Sequence, residues 1–118
     1  MLITFEMVSE NININYKVFG KKNDNTLIFP DKSVPNTMMH VSILTDSVEI
    51  VRTGDVEMKQ TFKFNEKTDG YYKNNLGLEF NISSFTTELS IEENAILIFY
   101  EHYLDNNWQS SNKLKIIF

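Results

Sequence analysis

The sequence predicts an all-β protein: a single domain over residues 1–118 that folds as an antiparallel barrel or sandwich of about eight to ten short strands. Three observations predict it. Apolar and polar residues alternate with period two along much of the chain, most cleanly at Asn11–Phe19, where Ile12, Ile14, Tyr16 and Val18 oppose Asn11, Asn13, Asn15 and Lys17. The composition is rich in strand formers, with nine Phe and five Tyr among 118 residues. Polar, turn-forming clusters separate the alternating runs, and no stretch carries a helical period.

The elements follow in order. Leu2–Val8 reads as a first strand with Ile3, Phe5 and Met7 on one face, and Glu10-Asn11 as the turn into Asn11–Phe19. Gly20–Asn25 reads as a loop. Thr26–Phe29 is a short strand stopped by Pro30, which has no amide to donate to a ladder. Asp31–Asn36 is a loop, and Thr37–Leu44 resumes the alternation. Val48–Phe64 is the central hairpin. With Thr53-Gly54-Asp55 as a three-residue turn, Arg52 pairs with Val56 and Ile50 with Met58, so the apolar faces of both arms coincide. Gly54 is then expected at positive φ. Asn65–Gly70 reads as a polar loop, followed by strands at Tyr71–Lys73, Leu76–Ser83 and Phe85–Ile91. Ala95–Leu104 is apolar on both faces and reads as a central strand. Asp105–Asn112 is expected to be a loop holding Trp108, and Lys113–Phe118 the closing strand. The inward set is Ile12, Ile14, Tyr16, Val18, Ile50, Met58, Phe62, Phe80 and Ile116.

Composition narrows the function classes. There is no cysteine, which excludes disulfides and thiolate chemistry and suits a reducing, cytoplasmic setting. No apolar run is long enough to span a membrane, and the N-terminus lacks the features of a signal peptide. Asn81-Ile82-Ser83 therefore matches a glycosylation acceptor by coincidence. Net charge is −5. Residues 74–112 carry Glu79, Glu88, Glu92, Glu93, Glu101 and Asp105 without one Lys or Arg, a surface that repels nucleic acid. The histidines, His40 and His102, lack the spacing of a metal site, so no metal and no cofactor is expected. No serine elbow, catalytic dyad or glycine-rich phosphate loop is present, so no catalytic residue is named and no enzyme is expected.

The segment Val51-Arg52-Thr53-Gly54-Asp55-Val56-Glu57-Met58-Lys59-Gln60-Thr61-Phe62 resembles the signature of the YwiB-like proteins, an uncharacterised bacterial family. Tyr71-Tyr72 with Leu76-Gly77-Leu78-Glu79, Ile96–Tyr100 and Asn112–Ile116 are similar to later parts of it. The resemblance runs from Ile12 to the end, and the Pro30–Pro35 loop departs from it. It implies a small calycin-like, or lipocalin-like, barrel and no activity.

Arg52 and Gln60 are polar residues on the apolar face of the hairpin. Two readings follow. In the first, the barrel is a binding module for a small, largely apolar ligand. Arg52 and Gln60 orient its polar or anionic head, and Met58, Phe62 and Tyr100 contact its body. In the second, Arg52 sits at the rim with its head in water or against Glu57, the barrel is filled, and the protein is an interaction or structural module with a protein partner. The volume inside the barrel discriminates them.

Overall fold

The computed structural model describes every residue from Met1 to Phe118. Eleven strands account for the fold: β1 (Leu2–Val8), β2 (Asn13–Phe19), β3 (Lys21–Asn23), β4 (Thr26–Pro30), β5 (Thr37–Ile43), β6 (Ser47–Gly54), β7 (Val56–Lys63), β8 (Lys67–Asn74), β9 (Glu79–Ile91), β10 (Ala95–Leu104) and β11 (Asn107–Ile117). They form one sheet in the order β2-β1-β11-β10-β9-β8-β7-β6-β5-β4-β3, with every ladder between named strands antiparallel. From β3 onward each strand pairs with its successor. The one ladder that breaks this meander joins β1 to β11, with Thr4 opposite Ile117 and Val8 opposite Lys113.

The sheet curls into a nearly closed calycin-like barrel. Its two ends, β2 and β3, are consecutive in the chain and separated by Gly20 alone. One bent run therefore pairs with β1 before Gly20 and with β4 after it. The bend leaves no room for a side chain. A Cβ on Gly20 would stand 2.6 Å from the Ile28 carbonyl oxygen and 2.7 Å from Ile3 Cδ1.

The interior is filled at one end. Ile3, Phe5, Phe29, Met39, Val41, Ile50, Phe62, Ile98, Leu114 and Ile116, from seven strands, belong to one buried cluster. Each such side chain contributes roughly 1.5–3 kcal/mol by leaving water. Of the expected inward set, Val18, Ile50, Phe62 and Ile116 are core residues, and Ile14 and Tyr16 pack against the core. Met58 and Phe80 are half-buried, and Ile12 is exposed, because it lies in the Ser9–Ile12 turn ahead of β2.

Several boundaries differ from those read in the sequence. The central hairpin is wider by one pair: Arg52 faces Met58 and Ile50 faces Gln60. The turn is not closed locally. Gly54 still pairs with Thr37 of β5, and Val56 already pairs with Asn74 of β8, so neighbouring strands hold the two arms apart. The shift is by two residues, which keeps every side chain on its expected face. β8 begins at Lys67 and β11 at Asn107, within the expected loops. Both segments are polar on the outer wall and take their order from ladders with β9 and β10. The two strands expected between Leu76 and Ile91 are one, β9. Thr87 is an extra residue between the pairs Phe99–Glu88 and Tyr100–Thr86, and this bulge reverses the alternation. Its hydroxyl donates to the Phe99 carbonyl at 3.1 Å.

Candidate functional site

The unfilled end of the barrel holds a cavity of about 250 Å³. β1, β2, β6, β7, β8, β10 and β11 and the loop after β4 all reach it, through Met7, Ile14, Ser33, Val34, Arg52, Met58, Gln60, Tyr72, Tyr100, His102, Ser110 and Asn112 among others. Its lining is apolar with a few convergent polar groups, which is the make-up of small-molecule sites, and its volume falls just below their usual range of about 300–1,000 Å³.

Arg52 is inside, only 8 % exposed, and not at the rim as the filled-barrel reading expected. Its counter-ion is Asp31, 4 % exposed, in the loop after Pro30. Arg52 Nε donates to Asp31 Oδ2 at 3.0 Å. Asp31 Oδ1 accepts from the Ser33 amide at 2.9 Å, from the Ser33 hydroxyl, and from the Tyr16 hydroxyl at 3.4 Å. Removing an ion from water costs several kcal/mol, and the pair stands because both charges are matched and the carboxylate lone pairs are satisfied. Arg52 Nη1 donates further to Met58 Sδ at 3.3 Å, which orients the guanidinium across the hairpin. Nη2 has no acceptor in the protein.

Sequence folds this corner in a readable way. Pro30 ends β4, and the Asp31 amide bonds the Thr37 carbonyl at 2.9 Å, closing the loop onto the start of β5. Asp31 with Ser33 two residues on is a side-chain turn, and it directs the carboxylate inward. Ser33 and Val34 then cover the mouth. Tyr16 stacks on Phe5 with ring centroids 5.1 Å apart. Burial, reinforced by the Asp31 charge, pushes its phenol far above the ordinary value, so it stays a donor.

A second set of polar groups comes from β7, β10 and β11. Gln60 is 4 % exposed and Tyr100 is buried. Burial raises the Tyr100 hydroxyl against smaller opposite pulls from Asn112, Arg52 and Gln60. Tyr100 also lies 3.6 Å from Met7 Sδ. His102 follows on β10, between Ser84 of β9 and Ser110 of β11. Its Nδ1 is buried without a partner, and burial lowers its pKa, which keeps the ring neutral.

The structure brings Arg52, Gln60, Met58 and Tyr100 together on one cavity. Phe62 is not among them. It lies in the core, its ring 4.6 Å from that of Tyr100, and supports the cavity floor. Asp31 and His102 lie outside the residues that the sequence names for ligand binding. The signal for Asp31 was present: an arginine on an interior face demands a carboxylate. No group of three or more His, Cys, Asp or Glu side chains is arranged to hold a metal ion. No helix is long and apolar enough to cross a membrane.

Comparison with known proteins agrees with the fold. Residues 3–116 match the family described as Domain of unknown function (DUF1934). The structure is similar to the crystal structure of ywiB protein from Bacillus subtilis, with a TM-score of 0.74 and 19% sequence identity, covering 98% of this chain and 87% of that one. No curated protein matches the chain.

Proposed function

The chain belongs to the DUF1934 family, whose description carries no activity, and from that premise and the half-filled barrel we propose that it is a non-catalytic binding module for a small, largely apolar ligand with a polar or anionic head. The observation that carries this reading is the cavity of about 250 Å³ onto which a buried, pre-positioned guanidinium opens. A guanidinium fixed by Asp31 and Met58 loses little freedom when it binds a further acceptor, so the site is pre-organised. Met7 and Met58 let the apolar wall adapt to shape.

Native mass spectrometry of freshly purified protein is expected to show a retained small molecule. Short-chain fluorescent probes with a carboxylate or an alcohol head test uptake directly. Arg52→Ala alone would strand a buried carboxylate, so the informative variant is Arg52→Met with Asp31→Asn. It is expected to keep the circular dichroism spectrum and to lose at least about tenfold in probe affinity, the worth of one hydrogen bond to a charged donor. A wild-type protein that retains nothing and takes up neither probe would favour the interaction-module reading instead.

A further inference from the structure

The charge inside the cavity is already balanced. Arg52 brings one positive charge and Asp31 one negative charge, 3.0 Å apart and both buried. No second basic side chain lines the cavity, since His102 is held neutral by burial. An anionic head entering beside Arg52 would therefore leave a net negative charge next to the buried Asp31 carboxylate, at the partly enclosed end of the barrel. A neutral acceptor meets the same Nη2 donor without that penalty. On the other side of the barrel the His102 ring lines the cavity; its Nδ1 is buried without a partner, and Nε2 is the ring nitrogen left open to a ligand. Unpartnered polar groups of this kind are rare in native interiors. A neutral imidazole presents one N–H and one lone pair, and a hydroxyl serves either.

We propose that the cavity takes an uncharged, two-ended ligand, with a carbonyl-type acceptor at Arg52 and a hydroxyl at His102. The inference rests on the binding reading above and narrows its ligand class. β6 and β10 are separated in the sheet by β7, β8 and β9, so the two polar positions face each other across the cavity rather than forming one cluster. Met7, Ile14, Met58 and Tyr72 line the space that the ligand's apolar body would fill.

Three compact probes test it by nuclear magnetic resonance titration of the full chain: 4-hydroxybenzamide, 4-hydroxybenzoate and benzamide. The amide with a hydroxyl is expected to bind at least about tenfold more tightly than either of the others, shifting signals of cavity residues. His102→Phe is expected to remove its advantage over benzamide. Asp31→Asn, which keeps an acceptor for Arg52 Nε while removing the compensating charge, is expected to keep the circular dichroism spectrum and to raise 4-hydroxybenzoate affinity at least about tenfold. Binding of 4-hydroxybenzoate as tight as that of the amide in the wild type would overturn the uncharged class while leaving the binding reading intact. An unchanged advantage over benzamide in His102→Phe would overturn the role of His102. No cavity shift with any of the three probes would overturn the inference together with the reading it rests on.

Discussion

Arg52 shows how far a single residue can be read. Its interior face follows from the alternation of the hairpin, but its partner lies 21 residues earlier in a loop with no periodicity. Pattern reasoning places residues on faces and says nothing about which loop folds over a barrel mouth, so it does not find Asp31. Gly54 was legible for a partly different reason. Its φ of 127° lies where L side chains are strained, as expected, but its place is also fixed by β5. A Cβ there would collide with the Asn36 carbonyl oxygen. Gly54→Val is expected to cost more than about 1 kcal/mol, and an unchanged urea midpoint would contradict this. His102 makes a prediction with a definite sign. Its pKa in the fold lies below the ordinary value, so as pH falls through the ordinary histidine range the unfolded chain takes a proton that the fold excludes. Stability is full above about pH 6.5 and declines as pH drops below it. The urea midpoint should therefore fall between pH 7.5 and 5.5 in the wild type, and fall less in His102→Phe.

At the scale of elements, strands with an apolar face were legible and polar ones were not. β2, β5 and β10 stand close to where alternation puts them, whereas the first halves of β8 and β11 read as loops. Asn107, Gln109, Ser110 and Ser111 offer no apolar stripe, and their strand conformation is imposed by β10. The connection between β10 and β11 shrinks accordingly to Asp105-Asn106, both at positive φ, 46° and 65°. That is the geometry of a two-residue hairpin turn whose favoured second residue is glycine. Asn106→Gly is expected to stabilise by about 0.5 kcal/mol, and Asn106→Val to destabilise by more than about 1 kcal/mol. Thermal melts of the two variants on opposite sides of the wild type would bear this out; shifts of the same sign would not. The bulge at Thr87 was invisible for another reason. Phe85, Thr87, Leu89 and Ile91 alternate without a break in sequence, and only the ladder with β10 shows that the inward face passes from Thr86 to Leu89. Thr86 Oγ1 is left buried without a partner beside it.

For the whole molecule, barrel closure was expected from the wish of a sheet to lose its edges, but not the way it is done. The polar run Gly20–Asn25 looked like a loop, and it contains the glycine bend and short strand that finish the wall. The meander has a consequence in time. Every hairpin from β3 onward joins neighbours in the chain and can form early, whereas the ladder of β1 with β11 joins residues such as Thr4 and Ile117 across nearly the full length. Bringing ends that distant together costs about 4 kcal/mol in chain entropy before any contact offsets it. The slow step of folding should therefore be this last annealing, starting from a curled sheet whose apolar inside is still open to other molecules. Ile50→Val, in the early hairpins, is expected to slow refolding. Ile3→Val, on β1, which lies outside those hairpins, should leave refolding nearly unchanged and speed unfolding instead. Stopped-flow chevrons with those two roles exchanged would place the barrier elsewhere. On this account the protein's lifetime is governed by the strand that arrives last, and its hazard is the interval before that strand arrives.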